Sequence, residues 1–543
     1  MNHDAGPEQA DRGRDGGERN TADRSGRERG VLAQWPLIAG VLLGLAGDVL
    51  LRAPGTPALN LFLWVASVAF TAFALHRRAG LGLDRERVGW LALGVVFAFG
   101  LAWRDSPPLK LLAVGCVTLT FALAAYRADA AWVRRASVFR YVRAWGTGAL
   151  HAWTAAVYVL ADAGRSTRHG TDRAASWRWA AGVARGVVIA APLVVVFGAL
   201  FMSADAMFAD LVLNVMRIDT ELIASHLLLF SVSAWLATGY LRGFLRGTEL
   251  QPLRAFWRDA PKRPALGITE VATALTALDL LFLVFVVVQL RYLFGGDALV
   301  QVTPDLTYAE YARRGFFELV LAVFLVVPVL LAADWLLERH TRGADAVFRS
   351  LAGVQIGLVF AIAASAFQRL RLYHASYGLT DSRFYAMVLL LWIGAMLLWF
   401  AVTVLRGRRD PFAFGALVAG FSTVALMFVV NPDAIVARTN VARMFSADAS
   451  VRFDVAYAAS LSADAVPVLI DALPGVPPDV QCRLARHMLR RWAPDRERSI
   501  RTWNWAASRA TDAVRENERH LRVMVGPDQR CAAPEAGRAA VQK

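Results

Sequence analysis

Cysteine is scarce, with three in 543 residues: Cys116, Cys482 and Cys531. No CxxC or related ligand spacing is present, so the cysteines do not mark a metal site. The nine histidines are scattered, and none is paired at ligand spacing on a predicted helix. Walker A loops, GxSxG elbows, HExxH helices and kinase signatures are all missing. No enzyme class is therefore indicated, and no metal or cofactor is implied. Residues 1–30 lack the apolar core of a secretory signal. Their Arg, Asp, Glu and Gly content reads as a disordered cytoplasmic tail. Acidic residues are also in deficit, 44 against 59 Lys and Arg, for a net charge of +15. In a soluble chain that excess suggests nucleic acid. Here the arginines fall between apolar runs, the pattern of the positive-inside bias, and no nucleic-acid partner is expected.

Apolar residues are abundant instead, at 56% with a mean hydropathy of +0.41. Long apolar runs recur from residue 31 to residue 430 and approach the roughly 20 residues that cross a bilayer. The expected fold class is an all-α polytopic integral membrane protein with about 11 transmembrane helices. The expected spans are 31–51, 57–75, 88–103, 107–125, 181–203, 221–243, 268–293, 312–336, 347–368, 384–405 and 411–430. A four-helix membrane region then occupies 31–125. A basic cytoplasmic segment follows at 126–180, then a seven-helix core at 181–437. With the N-terminus cytoplasmic, Lys and Arg concentrate in the inner segments. An odd number of crossings puts the C-terminus outside. Segment 138–162 bears on this count. Phe139, Val142, Trp145, Leu150, Trp153, Val157 and Leu160 form a helical stripe flanked by Arg140 and Arg143. That suits an amphipathic helix in the inner interface; a crossing there would move the following arginines outside.

Residues 438–543 hold no further spanning run and read as a small helical extracytoplasmic domain. Ser462 precedes one helix and Gly475 ends it, before Pro477 and Pro478. Another helix is expected over 479–492. A longer one is expected over 497–521, with Ile500, Trp503, Ala510, Val514 and Leu521 on one side. An outside location permits a disulfide. Cys482 and Cys531 are thus a candidate bridge, with two unpaired thiols as the alternative.

Charge is unexpectedly dense at two consecutive outer loops. TYAEYARRGFFELV (Thr307–Val320) carries Glu310, Arg314 and Glu318 along one helical stripe, with Arg313 also in reach of Glu310. The next loop adds Arg369, Arg371, Tyr373 and Arg383. One reading is anchorage, with ion pairs and snorkelling side chains at helix ends. The other is an outward-facing pocket for an anionic lipid or small ligand, gripped by guanidinium groups. Asp279 joins this candidate set as an ionisable group well inside a predicted span, where a partner or water is required. Asp48 lies at the margin of another span. His226, alone in an apolar helix, reads as a packed, hydrogen-bonded residue.

Five strings carry a family resemblance: LDLLFLVFVVVQLRYLFGG (Leu278–Gly296), TYAEYARRGFFELV, RLYHASYGLTDSRFY (Arg371–Tyr385), NPDAIVARTN (Asn431–Asn440) and YAASLSADAVPVL (Tyr457–Leu469). Over roughly 190–475 the chain resembles a bacterial multi-pass family known as a domain of unknown function, of the 4153/4173 type. The resemblance implies a bacterial cytoplasmic-membrane protein and supplies no reaction, ligand or functional residue. Two function classes stay open beside an enzyme for which no constellation is found. One is transport or lipid and ligand handling through the charged outer pocket. The other is a membrane sensor or assembly partner recognising an envelope component, such as a protein, through the C-terminal domain.

Overall fold

A computed structural model of the chain describes residues 35–52, 55–80, 85–125, 141–150, 220–246, 266–294, 316–338, 342–408, 410–445, 453–493 and 499–526, with Cys531 and a few isolated positions between 138 and 207. The helices are α1 (Trp35–Leu51), α2 (Leu59–Arg78), α3 (Arg85–Trp103), α4 (Pro107–Ala125), α5 (Thr220–Arg246), α6 (Ile268–Phe294), α7 (Phe316–Leu336) and α8 (Arg342–Tyr377). They continue with α9 (Asp381–Thr403), α10 (Asp410–Val430), α11 (Pro432–Met444), α12 (Val455–Ser460), α13 (Val466–Ala472), α14 (Pro478–Arg491), α15 (Trp505–Glu516) and α16 (Glu518–Val525). Among the described residues the protein is all-helical, and nine helices, α2 to α10, are long and apolar enough to cross a membrane. Each coincides with an expected span. Helix α1 is shorter, and 181–200 lies outside the described residues, as do 1–30 and most of 151–180.

The surface of these helices fits a bilayer. On α6, Leu280, Leu281, Val284 and Val287 are exposed, while Val271, Leu275, Asp279 and Val286 are buried. A soluble helix would be polar on its outer face; this one is apolar on both, as lipid contact demands.

The chain forms two compact units. One comprises Met1–Ala98, Val117–Ala130 and Val142–Leu250. Its core gathers Leu43, Val68, Ala72, Leu91, Ala124, Leu241 and Phe244. Helix α1 buries Ala39, Gly40, Leu43, Gly44 and Gly47 along one stripe. Those glycines let its backbone approach α5: a Cβ at Gly44 would stand 2.5 Å from the Ala234 Cβ and 3.0 Å from the Phe230 carbonyl oxygen. Small residues at this spacing are a common solution for close helix packing in lipid. Arg87 donates to the carbonyls of Ala124 (2.8 Å) and Phe244 (2.6 Å), capping the last turns of α4 and α5.

Residues 141–150 are helical, as the stripe in 138–162 predicts, and Val142, Trp145 and Leu150 are exposed. The Trp145 indole donates to Thr118 (3.4 Å), and Gly148 faces Ala122. Contact at two successive turns of α4 is what a helix aligned with α4 makes.

The other unit comprises Phe99–Cys116, Ala131–Tyr141 and Gln251–Lys543. Its membrane core is built by α6 to α10 around Leu275, Val323, Leu330, Phe348, Val359, Ile393, Leu397 and Phe400. A second core, in the C-terminal helices, gathers Val466, Leu469, Leu484, Met488, Ala510, Val514 and Leu521, and includes Leu379 from the α8–α9 turn and Val436 and Ala437 from α11. Ser462 caps a short turn leading into α13, and Gly475 follows it, as expected. The expected single helix over 497–521 is instead broken twice. The Asn504 side chain accepts from the Ala507 N–H (3.1 Å) and starts α15 afresh, and Asn517 separates α15 from α16. Ala510, Val514 and Leu521 are buried as the stripe predicts, whereas Ile500 and Trp503 are exposed.

The glycine stripe gives the first test. Gly44→Leu is expected to force α1 from α5 and cost about 1–3 kcal/mol, the usual range for overpacking. Gly89→Ala is the control, since a Cβ there meets nothing within 4 Å. Thermal unfolding in detergent should separate them; equal midpoints would contradict the close approach.

Candidate functional site

The described residues of the second unit form a polar cluster other than the one expected from the outer arginines. It forms where the short α3–α4 connection, Arg104–Asp105–Ser106, meets the α10–α11 junction and the start of α13. Helix α10 ends at Val430, and Asn431 caps the next helix with a φ of 60°, a left-handed conformation that Asn adopts more readily than most residues. The carbonyls of Phe428 and Val429 in the last turn of α10 lack intrahelical partners. Arg104 supplies them, donating from Nε to Phe428 (2.7 Å) and from Nη2 to Val429 (3.5 Å), while Nη1 bonds the Asp464 carboxylate at 3.0 Å. The Asp105 N–H donates to the other Asp464 oxygen at 2.7 Å. The Asp105 carboxylate accepts from Lys110 (2.7 Å) and from the Ala463 N–H (3.4 Å). Ser106 donates to Asp433 (3.1 Å) and lies 3.3 Å from the Tyr385 hydroxyl. The second Asp433 oxygen accepts from the Ser462 N–H at 3.2 Å. Asn504 donates to the carbonyls of Leu101 (2.9 Å) and Arg104 (3.0 Å), closing the end of α3.

This is a clasp, in which polar side chains of the C-terminal helices satisfy the ends of membrane helices and the reverse. Asp433 and Asp464 are buried, 3% and 6% exposed. Burial pushes the Asp433 carboxyl above the ordinary carboxylate range, against the hydrogen bonds from Ser462 and Ser106. Burial likewise raises Asp464, against the Asp105 N–H and the Arg104 charge. A second latch lies close by in sequence. The Asp381 N–H donates to the Tyr457 hydroxyl (2.7 Å), which lies 3.3 Å from the Asp381 carboxylate. Asn440 clamps Leu379, accepting from its N–H (2.8 Å) and donating to its carbonyl (2.7 Å). Among the described residues, no group of three or more His, Cys, Asp or Glu could hold a metal ion.

The residues expected at the outer pocket are placed as follows. Glu310, Arg313 and Arg314 lie outside the described residues. Glu318 is exposed in the first turn of α7. Arg369 donates to the Gln289 side chain, and Arg371 is exposed further along α8. Tyr373 falls in the last turns of α8. Arg383 donates to the carbonyls of Gly378 and Tyr377, closing the α8–α9 turn. It stands near Arg443, which burial and the Arg383 charge together hold below the usual arginine value. Asp279 is buried in α6, ten residues before Gln289. The described ones are therefore dispersed among helix ends, one turn and one buried seam. Cys482 and Cys531 are joined, with Cα atoms 5.6 Å apart. Asp48, in the first unit, accepts from Arg52 (2.6 Å) and meets His226 at 2.7 Å, so that histidine has an acidic partner.

Sequence reasoning passed over Arg104, Asp105, Ser106, Asp433, Asp464 and Asn504. A signal existed: Asn431–Asn440 and Tyr457–Leu469, two strings that carry the family resemblance, contain Asp433, Asn440, Tyr457, Ser462 and Asp464.

Fold and site together define an all-helical protein, among the described residues, whose long apolar helices suit a multi-pass membrane protein and whose C-terminal helices are clasped to their ends. The chain matches the family model described as "Domain of unknown function (DUF4153)" over residues 91–472, more than half its length, and it belongs to that family. The match begins well before residue 190, so α4 and most of α3, where the sequence alone showed no likeness, fall within it. No curated protein and no solved structure matches the chain.

The clasp predicts a pH signature. A raised carboxyl contributes stability that is present below its unfolded value and lost as pH rises through its folded value. Asp433→Asn removes that titration. The stability of Asp433→Asn relative to wild type is therefore expected to rise with pH, from the ordinary carboxylate range upward. Denaturation of the C-terminal helices followed by tryptophan fluorescence checks this; a pH-independent difference would contradict the burial argument.

Proposed function

We propose that the protein is a bacterial cytoplasmic-membrane sensor or assembly factor. Its C-terminal helical domain recognises an envelope component outside the membrane, and the clasp couples that domain to the membrane helices. The observation that carries this reading is the buried network linking Asp464 and Asp433 to Arg104, Asp105 and Ser106. A tethered but uncoupled domain would need only a linker.

Eleven crossings, with the N-terminus inside and the C-terminus outside, agree with the connectivity. Trp103 stacks on Phe428, so α3 and α10 finish at the same end. Leu266 pairs with Leu337 where α6 begins and α7 ends, at the opposite end. Helices α4 to α9 supply six crossings between the ends of α3 and the start of α10, which parity requires to be an odd number. The expected span 181–203, apolar over a membrane-crossing length in the sequence, would supply that odd crossing. The Cys482–Cys531 pair supports an outside tail, because disulfides persist in oxidising compartments.

A second reading, handling of an anionic ligand or lipid headgroup at the outer end, draws on one observation. Arg383 and Arg443 both lie beside Gly378 at the α8–α9 turn, and neighbouring guanidinium groups suit phosphate or carboxylate.

Two experiments test the main reading. An impermeant thiol reagent on intact cells should label Cys482 and Cys531 only after reduction. Labelling of both without reductant, or of neither after it, contradicts the outside, bridged tail. A photo-reactive residue replacing Val523, 80% exposed on α16, is expected to capture an envelope component in cells. In purified protein, Asp464→Asn should speed hydrogen exchange in residues 99–106 and 428–434 as well as in the C-terminal helices. No adduct from correctly inserted protein, or a change confined to the tail, contradicts a coupled recognition domain. Protection of 377–380 and 440–443 by anionic lipid would instead favour the second reading.

A further inference from the structure

Helices α6 and α8 pack along one seam and run in parallel. Near their outer ends the Ser365 hydroxyl donates to Gln289 (3.3 Å), and Arg369 donates to the same amide oxygen. The offset is 365 − 289 = 76 residues, and 279 + 76 = 355. Two parallel helices with equal rise therefore bring Asp279 and Gln355 to one level, about 15 Å further into the membrane than Gln289. Both lie on the buried stripes of their helices, Asp279 between Leu275 and Val286 and Gln355 beside Ile356. Asp279 is 7% exposed and Gln355 1%. Neither carboxyl oxygen of Asp279 and neither amide atom of Gln355 has a hydrogen-bond partner among the described residues.

An ionised carboxylate in that position is unfavourable by several kcal/mol without a partner. No cation faces it. On α6 the nearest charge is Glu270, nine residues earlier and exposed. On α8 it is Arg349, six residues before Gln355 and exposed, while Arg369 lies at the level of Gln289. On α7, which packs against α8, Glu318 and Asp334 lie in the terminal turns. A neutral carboxylic acid is different. It can donate to the Gln355 amide oxygen and accept from the amide nitrogen, a two-point match that the carboxylate cannot make.

We propose that Asp279 and Gln355 form a proton-binding site inside the membrane, with the Asp279 carboxyl as the group that takes up and releases the proton. The site is independent of the clasp and of the recognition role assigned to the C-terminal domain. It gives the membrane helices a group whose charge changes in the seam between two of the longest spans. Changing that charge alters the packing of α6 on α8, because the ionised form must find water or a donor.

The test uses the full chain in lipid nanodiscs and dicyclohexylcarbodiimide, which adds to a protonated carboxyl in an apolar setting; the acid proton passes to the carbodiimide nitrogen as the carboxyl oxygen adds to its central carbon. Mass spectrometry locates the adduct. The expected result is an adduct on the Asp279 peptide whose formation falls about tenfold per pH unit above a midpoint, with no change when sodium replaces choline at equal ionic strength. Asp279→Asn should lose that adduct. Mapping on wild-type protein decides the matter even if this variant does not fold. Gln355→Leu should keep the adduct and move its midpoint, which a merely structural glutamine would not do. No adduct at Asp279, pH-independent labelling, or protection by sodium would overturn the proton site. An unmoved midpoint in Gln355→Leu would overturn the pairing.

Discussion

A membrane helix ends with carbonyls that its own backbone cannot satisfy. In this protein the ends of α3 and α10 are finished by side chains from elsewhere: Asn504 on Leu101 and Arg104, and Arg104 on Phe428 and Val429. The guanidinium of Arg104 also meets the negative end of the α10 dipole. Its bond to Asp464 then places a carboxylate of the C-terminal helices at the same point. Removing either charge leaves the other buried, a change that typically costs 3–5 kcal/mol. The C-terminal core, with Leu379, Val436 and Ala437 inside it, is continuous with these helix ends. The clasp and that core together make the C-terminal helices an extension of the fold built by the long apolar helices.

Most of the fold was legible because lipid imposes a strong rule on sequence. Every described spanning helix coincides with an apolar run that could be read directly, since a bilayer requires about 20 such residues in succession. The breaks inside 497–521 were not legible. Trp503, Ala510, Val514 and Leu521 share a helical period, but Asn504 bonds to the end of α3, a tertiary contact that no local pattern carries. The clasp was hidden for the same reason. Arg104 and Asp464 are 360 positions apart, and each alone looks like an ordinary loop charge.

The outer arginines show the converse. Their density at two consecutive loops was plain in the sequence, yet the described members go to separate tasks. Arg383 closes a turn, Arg369 bonds Gln289, and Glu318 and Arg371 are exposed. Asp279 stood out as a charge inside a span, and its burial without a hydrogen-bond partner among the described residues follows from its place on the stripe that packs against α8. Its partner in level, Gln355, gave no signal, because a lone glutamine in an apolar helix does not stand out. Both belong to a seam of polar residues, Asp279, Gln289, Gln355, Ser365 and Arg369, that can be recognised only once the parallel register is known.

The energetic link between Arg104 and Asp464 tests the clasp most directly. Arg104→Met, Asp464→Asn and the double variant, each in lipid nanodiscs, form a mutant cycle read by unfolding of the C-terminal helices. The account predicts a coupling above about 1 kcal/mol, as for contacting buried charges. Losses that add to within about 0.3 kcal/mol would contradict it.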